Sequence, residues 1–125
     1  MPKSYFLDLG LRNFIAGQLL PFSEATSKGK LFENFVFRQI IDRRPTFGVW
    51  FWRTDSGGEV DFVLNEKKPL PIEVKASEQK IGLVGKNLLA FMDKYQAEKG
   101  IIVHLGEEKK ITKNHRRILY KKLLL

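Results

Sequence analysis

The stretch that most restricts the fold of this chain is an alternating segment at residues 58–75, GEVDFVLNEKKPLPIEVK. Two apolar-alternating arms, Gly58 to Asn65 and Pro69 to Ala76, flank a polar tip, and this pattern predicts a β-hairpin. Strand side chains alternate between the two faces of a sheet. One face of the hairpin is therefore predicted to pack on a core, because it carries only apolar residues: Val60, Phe62, Leu64, Ile72, Val74 and Ala76.

The other face of the hairpin carries charge. A three-residue tip places Asp61 opposite Glu73, and Glu59 opposite Lys75. Like charges that face each other at about 4.5–5.5 Å between Cβ atoms destabilise a sheet, so a positive group is expected between Asp61 and Glu73. One explanation is an ordinary exposed face on which Lys75 supplies part of that charge. The sharper hypothesis is a divalent cation held by the two carboxylates.

Length and composition favour one soluble domain over residues 1–125. The absence of cysteine excludes disulfides and thiolate zinc sites, and it fits a reducing cytoplasm. No apolar run approaches the ~18 residues of a membrane span, so a cytoplasmic location without membrane contact is expected.

The formal charge of +8 is concentrated near the C-terminus. Basic surfaces suit polyanions, above all nucleic acid, because phosphate neutralisation releases counterions. A solvated surface or an acidic protein partner is the alternative. Candidate nucleic-acid contacts are Arg53, Lys121 and Lys122. The sequence leaves open whether this tail is a strand or a helix, and whether its closing leucines pack inward or form a homodimer contact.

Helices and strands are predicted on both sides of the hairpin. Apolar residues recur at helical spacing from Lys28 to Arg44, just before Pro45. Glu33 lies on or at the edge of that apolar stripe, where the helix dipole, an arginine at the border or a functional partner would explain a carboxylate. The other predicted elements are strands at Tyr5–Leu9, Gly48–Thr54 and Ile101–Leu105 and a second helix at about Gly82–Glu98.

The predicted core runs helix, three strands, helix, strand, and it resembles the PD-(D/E)XK nuclease superfamily. Glu33 lies on the first helix, Asp61 on the middle hairpin strand and the tripeptide Glu73-Val74-Lys75 on the next strand; residue 60 is Val where the superfamily name expects Pro. A more specific likeness is to the nuclease-like domain that follows the ATPase module of many prokaryotic AAA-type ATPases. Its segments are YFLDLGLRN (5–13), GKLFENFVF (29–37), WRTDSGGEVDFVL (52–64) and PIEVKAS (71–77).

The resemblance implies a restriction-endonuclease-like α/β fold, with a central mixed sheet flanked by helices, and a metal site. The implied ligands for one or two Mg²⁺ or Mn²⁺ ions are Glu33, Asp61, Glu73 and the Val74 carbonyl. Water activated at the metal would attack phosphorus, and Lys75 would orient that water or stabilise the transition state. Glu59 is expected to tune Lys75 or to act as an accessory ligand.

Two functions follow from the resemblance. The first is a metal-dependent DNA phosphodiesterase. The second is a catalytically inactive domain that binds nucleic acid or a partner protein as part of an AAA-type ATPase. This sequence contains no GxxxxGK[ST] phosphate loop, so any ATPase module is expected on another segment or another chain.

Overall fold

The described chain begins with a long amphipathic helix. The computed structural model describes residues 28–43 and 49–122. Helix α1 (Lys28–Arg43) buries the predicted stripe, made of Leu31, Phe32, Val36 and Ile40 together with Asn34. The predicted first helix is therefore confirmed. Arg44, Pro45 and the predicted strand at Tyr5–Leu9 lie outside the described residues.

A six-stranded mixed sheet forms the centre of the domain. The strands are β1 (Val49–Arg53), β2 (Glu59–Leu64), β3 (Leu70–Val74), β4 (Lys99–Val103), β5 (Lys109–Lys113) and β6 (Arg116–Lys121). Their order is β1-β2-β3-β4-β6-β5, in which β4 runs parallel to β3 and β6 and the other neighbours are antiparallel. The predicted α/β class and the order helix, three strands, helix, strand are confirmed.

The second helix, α2 (Lys86–Tyr95), is shorter at both ends than the predicted span Gly82–Glu98. At the start, Gly85 has an extended backbone with φ of −62° and ψ of 144°, so the helix begins only after it. At the end, Gln96 has a left-handed backbone with φ of 55°, and a residue in that conformation ends a helix. The helix packs closely on β4 at Gly100, where a Cβ atom would lie 3.0 Å from the Met92 sulfur. A larger residue at this point of the strand would require the Met92 side chain to shift.

The basic tail forms a β-hairpin, which decides between the strand and the helix that the sequence left open. Asn114 and His115 form its turn with φ of 53° and 63°, as in the two-residue type I′ turn. Ile118 and Tyr120 of β6 are fully buried. Residues 123–125, which include the closing leucines, lie outside the described residues.

Both faces of the sheet are covered by apolar clusters. On the α1 side, the helix packs on Phe62, Leu64, Leu70, Ile72, Ile101 and Val103. On the α2 side, the buried partners are Val84, Leu88, Met92, Ala97, Ile102, Ile118 and Tyr120. The charged residues of the central strands consequently lie near strand ends, at the start of β2 and the end of β3.

His104, which follows β4, is fully buried, as the sequence predicts for a core residue. Its Nδ1 accepts the Gln79 N–H at 3.0 Å. Because Nδ1 is an acceptor, Nε2 carries the proton in the neutral ring and donates to the Glu107 carbonyl at 2.7 Å. The imidazole therefore joins the loops that follow β3 and β4.

Candidate functional site

The β2–β3 hairpin brings Asp61 and Glu73 to one edge of the sheet. The strands are antiparallel and pair Phe62 with Ile72. One further step of the same register places Asp61 across from Glu73, as the hairpin prediction requires. This is the edge at which the parallel strands β3, β4 and β6 end.

The Asp61 carboxylate is held between the two strands. The paired residues of β2 and β3 stop at Phe62 and Ile72, and Asp61 Oδ2 accepts the Val74 N–H at 2.7 Å. Hydrogen bonds to ionised carboxylates are short and roughly twice as strong as neutral ones. This bond fixes Asp61 beside the backbone of the Glu73-Val74-Lys75 tripeptide.

A β-bulge interrupts the pairing of β1 with β2 next to Asp61. Trp50 pairs with Val63, whereas Trp52 pairs with Val60, so β2 contains one extra residue in this interval. A bulge bends its strand and redirects side chains, and bulges are frequent beside active sites. The alternation of β2 therefore changes at Asp61.

This bulge corrects the prediction for Val60. The residue packs with Val63 and Phe91 on the α2 side of the sheet. Its predicted place on the same face as Phe62 is wrong, because the extra residue of β2 reverses the alternation between them.

Glu59 has a different neighbour from the predicted one. Its Oε2 lies 3.2 Å from Nη2 of Arg53 in β1, and the two side chains are 43% and 42% exposed. The expected pairing of Glu59 with Lys75 is therefore replaced by an ion pair with Arg53. Arg53 itself is a predicted nucleic-acid contact, and that role stays a prediction.

Glu73 is a largely buried carboxylate with a lysine beside it. Its side chain is 12% exposed, and its Oε1 lies 3.8 Å from the Lys75 Nζ. Burial raises the pKa of Glu73, and the Lys75 ammonium opposes that rise. The site therefore combines a poorly solvated carboxylate with a neighbouring cation.

Lys75 is anchored through its backbone and open to solvent through its side chain. Its N–H donates to the Val103 carbonyl at 2.9 Å, so the tripeptide stays part of the sheet. The side chain is 47% exposed. Its ammonium group can consequently reach a molecule that binds at this edge.

The start of α2 lies beside Glu73, which sequence reasoning missed. A Cβ atom on Gly85, the residue before α2, would lie 3.5 Å from Glu73 Oε2. The predicted helix began at Gly82 and so placed Gly85 inside it. Gly85 itself was the available signal, since glycine is accepted directly before a helix and is unfavourable within one.

Comparison with protein-family models identifies the family of this chain. A model described as a domain of unknown function, DUF4143, matches residues 28–123, which is more than half of the sequence. The chain belongs to the DUF4143 family. No curated protein matches it. Within the residues that the structure describes, no helix of this DUF4143 domain has the length and apolar character to cross a membrane.

The DUF4143 domain is similar in fold to a chain of a solved assembly. That structure is a half-complex from a tetradecameric assembly of Thermococcus gammatolerans McrB AAA+ hexamers with bound McrC. The two chains are 16% identical with a TM-score of 0.53, and the match covers 74% of this chain and 27% of the other. At this identity the likeness concerns the fold. The DUF4143 domain spans about a quarter of the solved chain.

Glu33 lies in α1, the helix on the other side of the sheet from α2. It is half-buried in α1, which packs on the face that includes Ile72, whereas the adjacent Glu73 lies toward α2. Among residues 28–43 and 49–122, no three His, Cys, Asp or Glu side chains are grouped closely enough to hold a metal ion. The contacts at the ends of β2 and β3 bring Asp61 to the backbone of Val74, and Glu73 to Lys75. A ligand role for Glu33 stays a prediction.

The donor atoms of the DUF4143 site fit a hard divalent cation. Carboxylates of Asp61 and Glu73, with the Val74 carbonyl beside them, are the oxygen ligands that Mg²⁺ and Mn²⁺ prefer. Mg²⁺ usually binds one or two carboxylates and completes its shell with water and substrate phosphates. Two carboxylates are therefore sufficient for such a site, and a bound cation would offset the buried charge of Glu73.

Replacing Glu73 with Gln is expected to stabilise the metal-free domain at neutral pH, by about 0.5–2 kcal/mol. Burial raises the pKa of Glu73 above its unfolded-state value, so wild-type stability is full below the unfolded-state pKa and falls as pH rises through the folded-state pKa. Gln does not ionise. The advantage of Glu73→Gln should therefore grow from acid to neutral pH in urea unfolding.

The exposed Glu78 supplies a matched control for this experiment. Glu78→Gln is expected to change the free energy of unfolding little at any pH. A Glu73→Gln variant that is less stable than wild type at neutral pH would contradict the description of Glu73 as a charge held at a cost to stability.

Proposed function

We propose that this domain is a divalent-metal-dependent phosphodiesterase that cleaves DNA, with an active site formed by Asp61, Glu73 and Lys75. The observation that carries the proposal is the placement of two carboxylates on neighbouring strands, with one of them 3.8 Å from an ammonium group. The resemblance of the sequence to PD-(D/E)XK nucleases supports the same assignment.

Each of the three residues has a distinct role in this proposal. Asp61 is held in place by the Val74 N–H, so it offers a fixed oxygen for a cation. Glu73 supplies a second, poorly solvated oxygen. A bound Mg²⁺ or Mn²⁺ supplies Lewis acidity toward the phosphate oxygens. Lys75 donates hydrogen bonds to a phosphate and stabilises the negative charge that develops on it.

A second function has its own support. The described residues contain no group of three acidic or histidine side chains at the site, and the fold is similar to a chain from an assembly of McrB AAA+ hexamers with McrC. Under this alternative the domain binds nucleic acid or a partner protein as part of an AAA-type ATPase and does not cleave. The sequence resemblance to ATPase-linked domains agrees with this role.

Cleavage of DNA in the presence of Mn²⁺ distinguishes the two functions. Wild type is expected to cleave at least one of single-stranded, duplex and branched DNA. Lys75→Ala is expected to lower the rate by about 10²–10³-fold, the usual effect of losing one donor to transition-state charge. Lys75 lies outside the proposed ligand set, so its variant should still bind Mn²⁺.

Lys80→Ala is a matched control, because Lys80 is an exposed lysine on the loop that follows. It is expected to cleave at the wild-type rate. If wild type cleaves no DNA form, or if Lys75→Ala cleaves as well as Lys80→Ala, the binding function replaces the catalytic one.

A further inference from the structure

We infer that nucleic acid reaches the proposed site along one face of the β5–β6 hairpin. The face carries a strip of cations, here called the basic track: Lys99, Lys110, Arg117 and Lys121. The inference deepens the proposed function and rests on it for the nature of the ligand. It goes beyond the charge of the tail, because it assigns binding to one face of the hairpin and a different role to the other.

Apolar packing defines which face carries the track. Leu119 of β6 packs with the cluster on the α1 side, whereas Ile118 and Tyr120 pack with the α2 side. Alternation therefore puts Arg117 and Lys121 on the α1 side with Leu119. Register adds the two others, because Lys110 pairs with Leu119 and Lys99 pairs with Arg117.

The cations on the opposite face are engaged in structural contacts. Lys113 Nζ donates to the Gly82 carbonyl at 2.8 Å. Arg116 Nη1 donates to the Ala97 carbonyl at 2.6 Å, and its Nε lies 3.3 Å from Asp93 Oδ1. These two side chains hold α2 and its flanking turns against the hairpin.

The cations of the track have no such contacts. Within the described residues, no hydrogen bond or ion pair engages the side chains of Lys110, Arg117 or Lys121. Lys110 and Arg117 are exposed. Carboxylates approach both ends of the track. Glu108 lines a depression with Lys110 and Lys121, and its Oε2 accepts the Lys122 N–H at 3.4 Å. Glu66 and Glu98 line a depression with Lys99 and Arg117, and Glu98 Oε1 lies 3.4 Å from the Lys68 Nζ. The face therefore holds unpaired positive charge, which suits a polyphosphate backbone.

The track ends at the same edge of the sheet as the proposed site, although it lies on the α1 face and Glu73 lies toward α2. Val74 pairs with Val103 of β4, and Val103 pairs with Lys121 of β6, so Lys121 lies two strands, or about 10 Å, from Val74. The four steps from Arg117 to Lys121 span about 13 Å. That length corresponds to the rise of about four nucleotides at 3.4 Å each. A backbone lying on the track would therefore reach the sheet edge that carries Asp61, and it would pass around this edge to reach Glu73 on the α2 side.

Binding of a labelled oligonucleotide in EDTA tests the track without involving cleavage. Single-stranded and duplex DNA are titrated with the full chain at several salt concentrations. Lys110→Gln with Arg117→Gln is expected to raise the dissociation constant about tenfold at low salt. The slope of log K against log salt should fall in magnitude by about 2, one for each lost phosphate contact.

The double variant Lys80→Gln with Lys94→Gln is the matched control, because it removes the same charge from exposed positions before and within α2. It is expected to bind DNA nearly as wild type does. Equal weakening by both double variants, or no weakening by the track variant, would overturn the inference. Binding of an acidic peptide but not DNA by wild type would also overturn it, in favour of a protein partner. Because these titrations contain no metal, a failure of cleavage leaves their outcome unaffected.

Discussion

Replacing Leu88 with Ala is expected to lower the free energy of unfolding by about 3–5 kcal/mol. Leu88 is 0% exposed and belongs to the apolar cluster between α2 and the sheet. Its Cδ1 would lie 3.4 Å from a Cβ atom at Gly100, so the helix is already in close contact with β4 there. The substitution leaves a cavity that this packing cannot readily close, and domains of this kind have only about 5–15 kcal/mol of stability.

Leu83 supplies the matched control, because its side chain is 72% exposed and it lies just before the same helix. Leu83→Ala removes the same atoms and is expected to change stability by less than about 0.5 kcal/mol. Urea unfolding followed by circular dichroism measures both variants. Equal effects at the two positions would show that α2 does not pack on the sheet as described.

The sequence is sufficient to predict the fold because its periodicities are strong. The apolar stripe of α1 and the alternating hairpin arms each favour one structure, and the register follows from the short tip between the arms. The secondary structure of the basic tail is harder to predict from the sequence. Basic residues separate Ile111 from Ile118 and Tyr120, and only the left-handed turn at Asn114 and His115 makes the hairpin evident.

The site is only partly predictable, because one of its features depends on pairing with a neighbouring strand. The hairpin register from which the opposition of Asp61 and Glu73 is predicted is confirmed over the three pairs from Phe62–Ile72 to Leu64–Leu70. The bulge in β2 arises from its pairing with β1. The local alternation of residues contains no sign of that pairing, so it predicts the wrong neighbour for Glu59. The trace of the bulge in the sequence is the uninterrupted apolar run at residues 62–64, which is typical of a strand buried on both faces.

Replacing Asp61 with Asn is expected to weaken Mn²⁺ binding by at least about 100-fold, beyond the usual effect of changing a group that only supports a ligand. The Asn side-chain oxygen can still accept the Val74 N–H that Asp61 accepts at 2.7 Å. The substitution therefore removes the negative charge and retains the contact that positions the side chain. Cleavage of DNA should fall with metal binding, while the folded structure is kept.

Two further variants separate charge from structure. Asp61→Ala removes both the charge and the acceptor, so it should also destabilise the domain by about 1–3 kcal/mol, because the Val74 N–H loses its partner. Asp55→Asn removes the same charge from an exposed turn residue and is expected to bind Mn²⁺ as wild type does. An Asp61→Asn variant that cleaves DNA normally would exclude Asp61 from the site.

The central claim is that Asp61 and Glu73 form one cation site at the edge of the sheet. Calorimetric titration of Mn²⁺ into wild type and into Asp61→Asn tests it most directly. A saturable heat that appears with wild type and is absent with Asp61→Asn is the predicted result. No heat with wild type, or the same heat with both proteins, would contradict the claim.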